Sequence, residues 1–219
     1  FNETKIKIIE IAPDIVINTA AFTEVDKAEQ KKEKSNLINN LAVKNIAEIC
    51  NYINSWLFHI STDYVFDGAS SVAYKEDSET SPQCIYGLTK LEGEFAIKSS
   101  GCKYIIIRTA WVYSEYGNNF LKTMLRLGIE RDELSIVNDQ IGCPTYAQDI
   151  AKAIVAILPQ LNRKVESGVY HYCGDHACSW YDFAKAIFEL SDISCKVKPV
   201  ETKDYPSSVK RPKYSVMNL

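Results

Sequence analysis

"LFHISTDYVFDG", residues 57–68, decides how the chain is read. An apolar run with the look of a buried strand stops at three polar side chains, Ser61, Thr62 and Asp63, and Tyr64, Val65 and Phe66 follow directly. Ser, Thr and Asp are ordinary turn residues, so a plain strand end is one reading. The other is that these groups face a bound molecule. Two further stretches share the pattern. "PDIVINTAA", residues 13–21, is a short β-branched run closed by small residues, and "KYIIIRTAWVY", residues 103–113, is a third apolar strand.

Helical spacing fills the intervals. Residues 23–34, "TEVDKAEQKKEK", read as a solvated helix face, and Leu37, Ile38, Leu41, Ile46, Ile49 and Ile53 recur at helical spacing within 35–53. Tyr86 to about Lys98 is helical, as is "NNFLKTMLRLGIE", with Asn118 or Asn119 as its cap. Strands and helices alternating at these lengths predict an α/β fold, a doubly wound parallel sheet wrapped by helices on both faces. The later runs "AQDIAKAIVAIL", "GVYHYC" and "SWYDFAKAIFEL" alternate less regularly and predict a smaller C-terminal lobe. In such sheets ligands sit at the carboxyl ends of the strands, where Ala20, Ala21, Ser61, Thr62, Asp63 and Trp111 fall.

The composition excludes several classes. The 219 residues are 46% hydrophobic and 24% charged, with a net charge of -3, and they carry no basic stripe, so nucleic acid is not an expected partner. No apolar run reaches the length of a bilayer span and no signal peptide is visible, so no membrane is expected. Seven cysteines, scattered through apolar segments, read as free thiols in a reducing cytoplasm. In "HYCGDHAC", residues 171–178, His171, Cys173, Asp175, His176 and Cys178 lack the spacing that brings zinc ligands together, so no metal site is expected.

"YGLTK" sets Tyr86 and Lys90 four residues apart, on one helix face. An ammonium beside a phenol favours the phenolate, which makes tyrosine a usable acid and base at a carbonyl. The pattern occurs twice. Tyr181 and Lys185 repeat it in "YDFAK", but Phe183, Ala184, Ile187 and Phe188 give that helix a core-facing stripe, so the second pair reads as packing.

The order Thr62, Tyr86, Lys90 resembles the extended short-chain dehydrogenase/reductase superfamily, with its Rossmann-like fold. More narrowly, "PDIVINTAAFTEVDKAE", "HISTDYVFDG", "YGLTKLEGE", "RTAWVYSEYGNNFLKTML", "VNDQIGCPTYAQDIA" and "RPKYSVMNL" resemble the dTDP-4-dehydrorhamnose reductase family, in the same order and across nearly the whole chain. The resemblance implies reduction, by NADPH or NADH, of the C4 keto group of a dTDP-linked keto-deoxyhexose, dTDP-4-dehydro-L-rhamnose. It implies that Thr62, Tyr86 and Lys90 are catalytic: Tyr86 protonates the oxygen, Lys90 holds the nicotinamide ribose and lowers the tyrosine pKa, and Thr62 bonds the same oxygen. Ala20, Ala21, Phe22 and Ser61, with Tyr86 and Lys90, would contact the cofactor. Thr62, Asp63, Trp111, Asn118 and Asn119 would line the substrate. A homodimer and a cytoplasmic setting fit the same likeness.

The chain departs from the pattern at its start. No glycine precedes Gly68, whereas such folds carry a Gly-rich turn after the first strand for the pyrophosphate. The expectation is that the N-terminal Gly-rich βα unit is absent from this chain and lies in a longer enzyme. Residues 1–140 then read as a partial dinucleotide-binding domain and 141–219 mainly as a truncated substrate-binding lobe interleaved with it. The choice between NAD and NADP would reside in the absent unit. Two alternatives remain open: a related nucleotide-sugar epimerase or dehydratase, and a noncatalytic regulatory subunit resembling the methionine adenosyltransferase beta subunit.

Overall fold

The computed structural model describes residues 1–161, 165–205, 207 and 209–219. From the N-terminus run α1 (Asn2–Ile11), β1 (Ile15–Asn18), α2 (Val25–Gln30), α3 (Lys32–Asn36), a π-helical turn at Leu37–Leu41, α4 (Ala42–Tyr52) and β2 (Trp56–Thr62). Next come α5 (Ile85–Ser99), β3 (Lys103–Thr109), β4 (Val112–Tyr113), α6 (Phe120–Glu130) and β5 (Glu133–Val137). The remainder is β6 (Ile141–Gly142), β7 (Thr145–Tyr146), α7 (Ala147–Ile157), β8 (Gly168–His171), β9 (Cys178–Ser179), α8 (Trp180–Leu190) and β10 (Lys196–Val200).

The main sheet has the order β1-β2-β3-β8, and all its pairs are parallel. Because side chains alternate across a strand, β2 and β3 each bury two apolar sets. Leu57 and Ile106 pack on one face against Val43, Ala47 and Cys50 of α4 and Ile97 of α5. Trp56, Phe58, Ile105 and Ile107 pack on the other against Ile150 and Ile154 of α7. Burial on both faces is why these strands read as continuous apolar runs. The doubly wound Rossmann-like arrangement is therefore what the molecule adopts.

A second cluster forms around β5 and β10, which pair in parallel, with α6 and α8 against them. Leu134, Ile136, Ala184, Ile187 and Phe188 are its centre. The two lobes interleave along the chain. α7 and β8 lie beyond residue 140 yet complete the main sheet layer, while α6 and β5 lie before it and belong to the second cluster. The segment after Val209 laces between them, where Tyr214 donates its N–H to Gly68 O, Ile141 to Lys213 O and Tyr74 to Val216 O. These contacts put the "FDG" of the opening stretch against "RPKYSVMNL".

One expected strand breaks. "KYIIIRTAWVY" stays in the main sheet only to Thr109; Trp111 turns to φ 48°, and Val112–Tyr113 pairs with β7 instead. The left-handed region costs a side-chain-bearing residue about 1–2 kcal/mol, and no periodicity announces it. The π-helical turn was equally invisible. It turns Asn39 inward, where Oδ1 accepts from Phe22 N at 2.8 Å and Nδ2 donates to Phe22 O at 3.1 Å and to Thr89 Oγ1 at 3.2 Å. The loop after β1 is thereby tied to α5.

α5 is seated by a buried ion pair. Arg108 of β3 donates from Nε to Glu94 Oε1 at 3.0 Å and from Nη2 to Oε2 at 2.8 Å, and the two side chains are 2% and 0% exposed. Ser61 Oγ adds a third bond to Oε1 at 2.5 Å. Removing one partner strands the other charge, so Glu94→Gln or Arg108→Met alone should lower stability by about 3–5 kcal/mol. Urea unfolding checks this, and the double variant Glu94→Gln/Arg108→Met should lose clearly less than the sum of the two single losses.

Candidate active site

β1, β2 and β3 end side by side, with Asn18 opposite His59 and Thr62 opposite Thr109 in the register. Beyond Thr62 the chain makes a single 3-10 turn over Asp63–Val65, and Thr62 caps it by accepting the Tyr64 N–H at 3.2 Å. α5 starts directly against this turn. A Cβ on Gly87 would lie 2.2 Å from Tyr64 O, so only glycine lets the first turn of α5 come so close. The approach puts the Tyr86 ring edge-on to Tyr64 at 5.4 Å and its hydroxyl near that of Thr62.

Lys90 lies one turn further along α5, 2% exposed, with Nζ donating to Ile60 O at 2.6 Å and 3.2 Å from His59 Nε2. Tyr86, Lys90 and Thr62 are thus gathered at the end of one strand. Their electrostatics share a cause. Burial pushes the Tyr86 phenol up to about 12, with the Thr62 hydroxyl offsetting part of the rise and the Asp63 carboxylate adding to it. Burial brings the Lys90 amine down to about 8, against the pull of Glu94. The expected lowering of the tyrosine by Lys90 is not what this arrangement shows, because the amine is turned to Ile60 O and His59.

Asp63 is 2% exposed, and burial raises its carboxyl to about 6 despite nearby Ser215 and Thr62 hydroxyls. Oδ1 accepts from Thr62 Oγ1 at 3.0 Å, whereas Oδ2 is buried without a partner, as is Thr109 Oγ1 on the neighbouring strand end. Buried polar atoms without partners are uncommon, and these two lie at adjacent strand ends.

The other residues anticipated at the site divide. Ala20 and Ala21 follow β1 as an exposed and a half-buried position, and Phe22 is buried under the Asn39 clamp. Ser61 differs from its expected part, since its hydroxyl points inward to Glu94 and leaves only backbone for a cofactor. Trp111 stands over the second lobe, its ring stacked on Trp180 at 3.5 Å. Asn119 is the cap of α6, accepting from Lys122 N at 3.1 Å and donating to Ser114 O at 2.7 Å, while Asn118 is exposed beside it. The second tyrosine–lysine pair is packing: Lys185 lies over the Tyr181 ring, which flanks the second-lobe core. Of the 171–178 cluster, His171 and Cys173 are buried and Asp175 and His176 exposed, and among the described residues no metal-ligand group forms. Asn18, His59 and Trp180 were not anticipated; Asn18 and Trp180 stand at element ends, whereas His59 is a lone polar residue in the middle of β2, and that was the signal available for it.

A parallel sheet with a half-buried tyrosine and a buried lysine and threonine at its carboxyl edge defines the class, an α/β fold of the extended short-chain dehydrogenase/reductase type. The family model described as RmlD substrate binding domain matches residues 2–219, and the chain belongs to that family. It is 44% identical over 216 residues to dTDP-4-dehydrorhamnose reductase of Aggregatibacter actinomycetemcomitans, covering 94% of this chain and 73% of that protein. Its identity to the reductase of Escherichia coli K12 is 43% over 215 residues, covering 95% and 72%. The crystal structure of the Bacillus anthracis reductase in complex with NADP superposes with a TM-score of 0.95 at 40% identity, covering 99% of this chain and 76% of that one.

Two outcomes test the geometry. A Cβ on Gly142 would lie 2.5 Å from the Trp111 ring, so Gly142→Ala should displace the Trp111–Trp180 stack, change the near-ultraviolet circular dichroism and cost about 1–3 kcal/mol. Asp63 has its folded pKa raised from 3.8 to about 6, so its contribution to stability is fully present below pH 3.8 and is lost as pH rises through 6. Asp63→Asn should therefore stabilise the protein at pH 8, by on the order of 2–3 kcal/mol, and make little difference at pH 3.5. Denaturation midpoints at the two pH values check the sign.

Proposed function

We propose that the protein of which this chain is part reduces the C4 carbonyl of dTDP-4-dehydro-L-rhamnose to dTDP-L-rhamnose with a reduced nicotinamide dinucleotide. The observation that carries this reading is the gathering of Thr62, Tyr86 and Lys90 at one strand end, in a chain over 40% identical to reductases of that name. The residues present fit the cofactor: the amine of Lys90 and an unpartnered hydroxyl at Thr109 lie close to the carboxyl ends of β2 and β3, the edge where dinucleotides bind in such sheets. When bound, it supplies the hydride. Ala20, Ala21 and Phe22 would hold it along the end of β1, and Lys90 would meet its ribose. The relative solved with NADP supports NADPH as the donor.

The chain's own residues then handle the oxygen. Thr62 and Tyr86 would turn their hydroxyls to the alkoxide as it forms, Thr62 giving up its bond to Asp63 Oδ1. With its phenol held near 12, Tyr86 enters the reaction protonated and is a ready source of the proton that the alkoxide takes. Trp111, in its strained backbone state over Trp180, would form the wall for the sugar, and Asp63 would bind a hydroxyl of it. Asn118, exposed before α6, would offer a further polar group to the substrate, while Asn119 serves by shaping the loop before α6.

Seven free cysteines, with no disulfide, support a reducing cytoplasm as the setting. Among the described residues no helix is long and apolar enough to cross a membrane. A homodimer belongs to the same reading, and sedimentation would test it. For the activity itself, the full-length protein should oxidise NADPH when given the dTDP-keto sugar. Tyr86→Phe should cut kcat by about 10²–10⁴-fold while NADPH affinity stays within about twofold. A folded full-length protein without turnover would favour the regulatory-subunit alternative.

A further inference from the structure

Behind Lys90 lies a row of buried polar groups to which the reduction assigns no part. Asn18 is 7% exposed, His59 0% and Lys90 2%. Ala20 N–H donates to Asn18 Oδ1 at 3.1 Å, Asn18 Nδ2 is 3.1 Å from His59 Nδ1, and His59 Nε2 is 3.2 Å from Lys90 Nζ. The row joins the end of β1, where the dinucleotide would run, to the lysine on α5.

The row has a direction. A backbone N–H only donates, so Asn18 must turn its oxygen to Ala20 and its NH₂ to His59. That NH₂ only donates in turn, so His59 Nδ1 must be bare. A neutral imidazole with a bare Nδ1 carries its proton on Nε2, which points at Lys90. An ammonium has no lone pair and would set N–H against N–H at 3.2 Å. The lysine must accept.

We propose that Asn18 and His59 are positioning residues that favour the uncharged amine of Lys90 in the ligand-free protein, with its lone pair on His59 Nε2–H and one of its own hydrogens on Ile60 O.

The surroundings agree. His59 is pushed well below its ordinary range, by burial first and by Lys90 second, so it is neutral at physiological pH. Burial lowers the Lys90 amine from its ordinary range to about 8, so the uncharged form takes over only above that pH unless His59 favours it further. The other charge acting on it is Glu94, one turn along α5, and that carboxylate is engaged by Arg108 and Ser61 and lies 3.7 Å from Lys98. An anionic dinucleotide at the end of β1 would favour the ammonium, so proton uptake by Lys90 accompanies cofactor binding in this scheme.

Nitrogen-15 spectra of the histidines in the full-length protein without cofactor test the direction of the row. His59 should show a bare Nδ1 and a protonated Nε2 between about pH 6 and 8. A proton on Nδ1 would overturn the proposal, whatever the protein's activity. The kinetic arm rests on the reductase reading. Asn18→Asp still accepts from Ala20 but also accepts from His59, which moves the proton to Nδ1 and lets a charged Lys90 donate. The limb of kcat/KM near pH 8 should then rise by about one unit or more. His59→Gln, which offers a carbonyl to Asn18 and an NH₂ to Lys90, should keep the limb where it is. An unmoved limb in Asn18→Asp together with an unchanged imidazole spectrum would refute the scheme; turnover lost in every variant, with the wild-type spectrum as expected, would count against the reductase reading alone.

Discussion

The Glu94 carboxylate holds the site together. It takes two bonds from Arg108 on β3 and one from Ser61 on β2, and it lies on the helix that carries Tyr86 and Lys90. A helix packed on a sheet through apolar contacts alone can slide by small amounts at little cost, because dispersion is not directional. A bidentate pair at 0% and 2% exposure cannot, since any slip leaves a charge without its partner in a medium that solvates it poorly. The register of α5 on the sheet, and with it the place of the phenol and the amine, follows from that constraint.

The same burial that strengthens the pair shapes the chemistry beside it. Asp63, Tyr86 and Lys90 all shift toward their neutral forms, and in each the first cause is removal from water. Such a site is poorly disposed to charge until a ligand brings charge of its own. In the proposed reaction a carbonyl that becomes an alkoxide would be met by the Thr62 and Tyr86 hydroxyls, in a setting where each hydrogen bond counts for more than it does in water. Trp111 shows the cost of this arrangement. Its left-handed backbone, held by the stack on Trp180, places an aromatic wall at the strand edge where a continued strand would have carried the chain away.

Much of this was legible in the residues. The alternation of β-branched runs with helical spacing announced the parallel sheet, and the polar end of β2 announced the ligand edge. What escaped has a common character. Asn39 depends on a π-helical turn, Trp111 on a single positive φ, and Ser61 on a glutamate 33 residues further along the chain. Asn119 was read both as a cap and as a substrate residue, and the structure shows it making the cap bonds. None of these leaves a periodic trace. They turn on one torsion or one distant partner, and neither is encoded in local spacing.

By itself the sequence determined the class of fold and the family, because hydrophobic period and ordered motifs are properties of the chain read in line. Tertiary structure decided which polar groups face a ligand and which face one another. Ser61 and Thr62 are neighbours in sequence, yet alternation across the strand sends one hydroxyl to Glu94 and the other to Asp63. Asn18 and His59 are 41 residues apart, yet strand register makes them partners. Burial, which only the folded chain possesses, then moved Asp63, His59, Tyr86 and Lys90 toward their neutral forms.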